Sequence, residues 1–329
     1  MSKKSVESLS IDALKSVSSR TKEKLKLAGL FLLKDVLIFH PIRLAEIAGF
    51  SVETAEKVVE EAIKIIEEHD RKIFGLERAS KILVEKKERK FLHTGSKNLD
   101  EILGGGYAAG EVTELAGEYR TGKSQACYTA MATAFLPIEE GGLNDGKIGI
   151  VLIDSENTFV PSRLEPIFKR FGIEPKEALD MIFVGRPKNA YHQMRMINEL
   201  VKVLKENNIK LIIVDSLTKL PRADFTGRGE LYERQRLILS MIESLRRLVE
   251  TYDIVGLVTN QVVAMPDVFF GRPIKPIGGH VLAHNVDTRL FLSFVKENIR
   301  SIEILDSSRL PPAKTRIQIT EAGITDPEK

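Results

Sequence analysis

The sequence predicts an α/β protein: a mostly parallel twisted sheet with helices on both faces, a small all-α region before it and antiparallel strands at the C-terminal end. Three observations carry this. After Phe91, short β-branched runs such as Ile148 to Ile153, Leu211 to Val214 and Ile254 to Thr259 alternate with longer helical stretches. Strands that are apolar throughout belong to sheets covered on both sides. From Ile11 to His69 the apolar residues recur at helical spacing instead, clearest where Val58, Ile63, Ile65 and Ile66 interleave with Glu and Lys. Finally, Thr288 to Phe294, Ser301 to Leu305 and Thr315 to Thr320 follow one another without long helices between them, which suits antiparallel pairing.

A chain of 329 residues is long enough for one large domain and a smaller one. Hydrophobic residues make up 43% and charged residues 29%, with no apolar run near the roughly 20 residues a bilayer demands. Met1-Ser2-Lys3-Lys4-Ser5 leads into mixed residues instead of an apolar signal core, so the protein is expected in the cytoplasm, with no membrane partner. The single cysteine, Cys127, is expected as a small buried hydrophobe on a helix. A net charge of +3 is too small to identify a nucleic-acid partner, which would have to be held by local clusters.

Along the chain, residues 1–70 read as a helical domain, 71–90 as a charged linker carrying one helix, and 91–329 as the α/β core. Within the first, Leu27-Ala28-Gly29-Leu30 and Ile47-Ala48-Gly49-Phe50 form a weak internal repeat, each a helix end turned by a glycine able to take positive φ. Paired helix-hairpin-helix units have this form, and the helix start near Ser51-Val52-Glu53 offers backbone N–H groups to a DNA phosphate. A helical protein-interaction module fits the same pattern.

The strongest motif is Gly117-Glu118-Tyr119-Arg120-Thr121-Gly122-Lys123-Ser124, a full match to G-x-x-x-x-G-K-[ST]. Val112 to Ala116 reads as the strand before it and Gln125 to Phe135 as the helix after it, so loop amides and the helix dipole converge on a phosphate. Lys123 is placed to bridge the β- and γ-phosphates of ATP, and Ser124 to ligate Mg2+. Asp215, closing the run Leu211-Ile212-Ile213-Val214, is the second Mg2+ candidate. Beyond another apolar run, Asp154 and Glu156 are both candidates for the group that activates water, and strand periodicity alone cannot separate them.

These motifs resemble, in order and over nearly the whole chain, the RadA group of recombinases, archaeal relatives of the eukaryotic Rad-type enzymes and of bacterial RecA. The likeness lies in Gly117 to Gln125, Ile153-Asp154-Ser155-Glu156-Asn157-Thr158-Phe159, Ile213-Val214-Asp215-Ser216-Leu217-Thr218 and Thr259-Asn260-Gln261-Val262. The resemblance implies a RecA-like P-loop ATPase core, with Glu156 activating water, Gln261 sensing the γ-phosphate and Arg163 stacking on adenine. It implies ATP and Mg2+ as cofactors, with room for a monovalent cation such as K+. Asp306 and Pro311 match the segment that caps ATP from an adjacent subunit.

The resemblance implies that two stretches are DNA-binding loops. The first holds Arg222, Arg228 and Arg234 among glycines, and could equally be a solvated loop on its residues alone. The second begins after Gln261 and holds Phe269, Phe270, Arg272, Gly278, Gly279 and His280, with apolar side chains suited to wedge between bases. The implied partners are single- and double-stranded DNA, further copies of the chain in helical filaments or rings, and recombination mediators.

The chain departs from the pattern in three places. Leu76-Glu77-Arg78-Ala79 stands where relatives anchor polymerisation with Phe-x-x-Ala, so Leu76 and Ala79 are the expected subunit contact. Ser293-Phe294-Val295-Lys296-Glu297-Asn298 replaces a basic, glycine-rich hairpin, and Val160 stands where an arginine is usual. These departures leave open a regulatory paralogue that assists another recombinase without exchanging strands itself.

Overall fold

In the computed structural model, residues 9–70, 78–264 and 274–328 are described. The chain divides into two compact units, Met1–Arg89 with Asn198–Glu206 and Lys90–Ile197 with Asn207–Lys329.

The first unit is helical: α1 (Ser19–Leu27), α2 (Leu33–Leu37), α3 (Pro41–Ala48), α4 (Val52–Asp70) and α5 (Ala79–Lys87). Ser18 caps α1 by accepting the Thr21 amide at 3.2 Å, and Ser51 caps α4 by accepting that of Thr54 at 3.2 Å. The two glycines of the sequence repeat turn the chain as expected, Gly29 at φ +81° and Gly49 at φ +70°, a region that L side chains avoid. Fully buried Asp35 accepts the amides of Phe31 and Leu32 at 2.8 and 2.6 Å, closing the start of α2. Leu25, Leu30, Leu33, Val36, Leu44 and Val58 form the apolar interior.

The second unit opens with β1 (Phe91–Leu92), α6 (Lys97–Ile102) and β2 (Tyr107–Ala108), where β1 and β2 form a small antiparallel pair. Next come β3 (Val112–Gly117), α7 (Lys123–Ala134), β4 (Gly149–Asp154), α8 (Glu165–Arg170), α9 (Pro175–Leu179), β5 (Ile182–Gly185), α10 (Ala190–Glu206, of which Asn198–Glu206 falls in the first unit) and β6 (Ile209–Asp215). They are followed by α11 (Lys219–Asp224), α12 (Leu231–Tyr252), β7 (Val255–Asn260), β8 (Val262–Ala264), β9 (Ile274–Pro276) and α13 (Gly279–Ala283). The chain ends on β10 (Thr288–Lys296), β11 (Ile299–Ser307), β12 (Lys314–Thr320) and β13 (Gly323–Thr325).

One nine-stranded sheet runs β13-β12-β11-β10-β3-β7-β6-β4-β5. The pairs from β10 through to β5 are parallel and those from β10 to β13 antiparallel. The expected antiparallel extension therefore begins one strand later than the sequence suggests, because β10 lies parallel to β3 and turns antiparallel only toward β11. The alternation of strand side chains explains the core. Ile150 and Leu152, Leu211 and Ile213, Val255 and Leu257, and Leu290 and Leu292 share one buried cluster with Ala126, Ala130 and Met131 of α7, and Cys127 is buried there too. Among the described residues no helix is long and apolar enough to cross a membrane.

Candidate functional site

Parallel strands present their carboxyl ends along one edge, where α/β sheets place their ligands. Along that edge β3 ends in the phosphate loop, β4 in Asp154, β6 in Asp215 and β7 in Asn260 followed by Gln261. Asp154 and Asp215 stand opposite one another in register.

The loop from Gly117 to Ser124 depends on its glycines. A Cβ at Gly117 would meet the Leu292 carbonyl oxygen at 2.5 Å and Thr121 Oγ1 at 2.7 Å. Gly122 takes φ +98°, and a Cβ there would lie 2.3 Å from Ile319 Cδ1. Thr121 hydrogen-bonds the Glu118 carbonyl at 2.8 Å beneath the turn, while Tyr119 is exposed at its crest with the Arg120 guanidinium 5.3 Å from its ring. The Lys123 ammonium donates to the carbonyls of Gly117 and Glu118 at 2.9 and 2.7 Å. Burial pushes its pKa down, with Asp215 and Glu156 pulling the other way. A polyphosphate would replace two neutral acceptors with anionic ones.

Ser124 Oγ donates to Asp215 Oδ2 at 2.7 Å, and the Thr259 hydroxyl donates to Asp215 Oδ1. The pair offers hard oxygen donors side by side, which suits Mg2+ held by one carboxylate, one hydroxyl and the phosphates of its nucleotide. Among the described residues no group of three His, Cys, Asp or Glu forms a dedicated metal cage. Burial pushes the Asp215 carboxyl above the usual carboxylate range, against the hydrogen bonds from Thr259 and Ser124. A raised native pKa means that the folded protein holds this proton more tightly than the unfolded chain, so stability is lost as pH rises through the native pKa. Asp215→Asn is therefore expected to melt higher than the parent at pH 7 without nucleotide, and to show none of any extra stabilisation that added Mg2+ with ATP brings to the parent, both read by thermal melts.

The two carboxylates that periodicity leaves equivalent have different surroundings. Asp154 is buried and accepts the backbone amides of Thr158 and Phe159 at 3.2 and 3.0 Å. Glu156 faces the cleft: Oε1 accepts Gln261 Nε2 at 2.9 Å, and Oε2 lies 3.1 Å from Lys219 Nζ. Lys219 also donates to the Glu156 carbonyl at 3.1 Å, holding the residue at side chain and backbone. Arg163 bonds the carbonyls of Glu321 and Thr320 at 2.9 and 3.2 Å and Gln125 Oε1 at 3.0 Å.

One cleft of about 970 Å³ gathers Glu118, Tyr119, Arg120, Gly122, Lys123, Ser124, Gln125, Glu156, Arg163, Asp215 and Gln261. Gly117 and Thr121 lie beneath the loop, not on its wall. Lys219 and Thr259, which hold Glu156 and Asp215, are not singled out by sequence reasoning, although Lys219 follows the run ending in Thr218 and Thr259 opens the run Thr259-Asn260-Gln261-Val262.

The other expected residues lie elsewhere. Asp306 at the end of β11 and Pro311 beyond it are exposed and do not line the cleft. Arg222 is exposed on α11, and half-buried Arg234 on α12 donates to the Phe225 carbonyl at 3.4 Å. Arg228 begins a single 3₁₀ turn and His280 lies on α13, but neither side chain is described. Gly278 and Gly279 take φ +90° and +53° at the start of α13. Ala79 is exposed at the first turn of α5. Leu76, Phe269, Phe270 and Arg272 fall outside the described residues. The stretch expected as one long loop after Gln261 is a hairpin at its base, with Val262 opposite Pro276 and Ala264 opposite Ile274.

A family model described as Rad51 matches residues 85–327. The DNA repair and recombination protein RadA of Aeropyrum pernix is 36% identical over 318 residues, 97% of this chain and 97% of that protein. The protein of the same name from Ignicoccus hospitalis is 37% identical over 321 residues, 97% of this chain and 96% of that one.

Proposed function

Because the chain belongs to the Rad51 family, we propose that it is an ATP-dependent DNA recombinase that pairs homologous DNA and exchanges strands in recombinational repair. The observation that carries the reading is the contact between Gln261 and Glu156: it joins the residue that opens the second candidate DNA loop to the carboxylate beside the nucleotide cleft.

In this reading Lys123 and the loop amides hold the phosphates of ATP, and Ser124 and Asp215 hold Mg2+, which offsets phosphate charge. Glu156 accepts the proton of the attacking water, and Gln261 reports whether a γ-phosphate is present. Gln261 moves with the hairpin it begins, so nucleotide state is carried to the second loop, an ordering transition of the kind nucleotide switches use. Arg222, Arg228, Arg234, Phe269, Phe270, Arg272 and the turn at Gly278-Gly279-His280 are the DNA contacts. Arginines hold the phosphates and the two phenylalanines stack on or between bases.

Asp306 and Pro311 are exposed and away from their own cleft, as a cap on a neighbour's ATP would be. Leu76 and Ala79 supply the linker contact that builds filaments or rings, and the first unit holds duplex DNA through its helical hairpins. A monovalent cation such as K+ beside the γ-phosphate and mediators that load the filament complete the scheme, which operates in the cytoplasm at the nucleoid.

One observation favours a regulatory paralogue instead: the β10–β11 tip carries exposed Phe294 and Val295, with Lys296 followed by Glu297, where a second DNA strand would favour positive charge. A D-loop assay with purified protein, ATP and single-stranded DNA, run beside electron microscopy, separates the two.

A further inference from the structure

Outside the phosphate loop, the buried side chain of Asn260, the last residue of β7 and immediately before Gln261, has three hydrogen-bond partners. Its amide nitrogen donates to Glu114 Oε1 at 2.6 Å and to the Ile277 carbonyl at 2.7 Å. Its amide oxygen accepts the Thr218 hydroxyl at 2.7 Å. Both donor hydrogens and the acceptor are therefore in use, a combination that an aspartate, with no donor, cannot supply. Glu114 is fully buried on β3, the strand that leads into the phosphate loop, and its second oxygen takes Arg289 Nε from β10 at 2.5 Å. A buried carboxylate is tolerated only when paired and hydrogen-bonded, and Arg289 and Asn260 divide that work.

The partners of this network are not random neighbours. Ile277 leaves the β8–β9 hairpin, and its amide donates to the Gln261 carbonyl at 2.9 Å, so its backbone N–H and C=O are both held. Thr218 precedes α11, which opens the first candidate DNA loop. One side chain thus ties the entry and exit of the second loop, and the root of the first, to the strand beneath the nucleotide.

We propose that Asn260 is a positioning residue that sets Gln261 against Glu156 and fixes the base of the second loop to the phosphate-loop strand, so that DNA binding is felt at the hydrolytic carboxylate. It rests on the reading of Glu156 and of the two loops given above. The geometry makes Asn260 specific for coupling: among the described residues it does not line the cleft, yet it joins Glu114 of β3, Ile277 and Thr218.

The test compares ATP turnover with and without single-stranded DNA, and nucleotide affinity, for the full-length parent, Asn260→Asp, Thr218→Val and the double variant Glu114→Gln with Asn260→Asp. Asn260→Asp sets two carboxylates against each other. It is expected to bind ATP within about threefold of the parent, but to lose roughly tenfold of the DNA-stimulated kcat at unchanged KM, within the usual range of coupling between sites. The double variant restores a donor facing residue 260 and regains part of the stimulation, which a merely structural role would not explain. Thr218→Val removes only the bond to the amide oxygen and costs about threefold, and it decides the matter if Asn260→Asp does not fold. Full DNA stimulation in Asn260→Asp or Thr218→Val overturns the proposal, as does equal loss of basal turnover, affinity and stimulation without recovery in the double variant. A parent chain that DNA does not stimulate overturns the recombinase reading as well, so the two failures are distinct.

Discussion

Glu156→Gln is expected to bind ATP as tightly as the parent and to hydrolyse it about 10²- to 10⁴-fold more slowly, the usual contribution of a positioned general base. The amide keeps the size of the carboxylate and still accepts from Gln261 Nε2 through its oxygen, so the hydrogen bond at 2.9 Å survives in shape. What it loses is the capacity to take a proton and the charge that holds Lys219 Nζ at 3.1 Å. A filament of this variant on single-stranded DNA should persist after the parent filament has turned over. Single-turnover hydrolysis and nucleotide titration, run on the same preparation, separate binding from chemistry. If hydrolysis stays at the parent rate, the water-activating role passes to another group, and Asp154 is poorly placed for it because both its oxygens accept backbone amides.

Lys123→Ala is expected to be the more damaging change, because it acts on binding and chemistry together. A charge-assisted hydrogen bond from its ammonium to phosphate would be worth about 1.5–3 kcal/mol, so losing one is expected to weaken ATP binding by roughly 10- to 150-fold. Removing a preorganised cation from the transferring phosphoryl group costs a further 10²- to 10³-fold or so in turnover. The carbonyls of Gly117 and Glu118 fix the Lys123 ammonium within the phosphate loop. The scaffold itself should survive, since Gly117, Thr121 and Gly122 shape the loop without the ammonium. Equilibrium binding of a fluorescent ATP analogue, with circular dichroism as the fold control, reads the expected loss; wild-type affinity would remove Lys123 from the site.

The contrast between Asp154 and Glu156 shows where sequence reasoning stops. Both follow the same apolar strand at alternate positions, and nothing in that pattern reveals which carboxylate is spent on the amides of Thr158 and Phe159. The resemblance to the RadA group favours Glu156, and the structure places it beside Lys219 and Gln261, partners 63 and 105 residues away in sequence. The phosphate loop was legible because eight consecutive residues and their flanking strand and helix form one local device. Asp215 was legible for a similar reason, as the acid ending a continuous apolar run.

Short elements were not legible. The strand Ile182–Gly185 and the pairs β1–β2 and β8–β9 hold two to four residues per strand, too few for periodicity to register, and owe their form to partners brought in by the fold. Glu114 illustrates the remainder. A charged residue in mid-strand reads as solvent-facing, yet it is fully buried because Arg289 and Asn260, 175 and 146 residues distant, complete its hydrogen bonds. Two strands must pair with β3 before that environment exists.

The most direct test of the recombinase reading is a D-loop assay with the purified chain, Mg2+, ATP, a single strand and a homologous supercoiled duplex, with the same samples viewed by electron microscopy. The expected result is ATP-dependent joint molecules together with helical filaments on the single strand. Nucleotide binding and hydrolysis without joint molecules or filaments would contradict strand exchange by this chain and favour the regulatory paralogue.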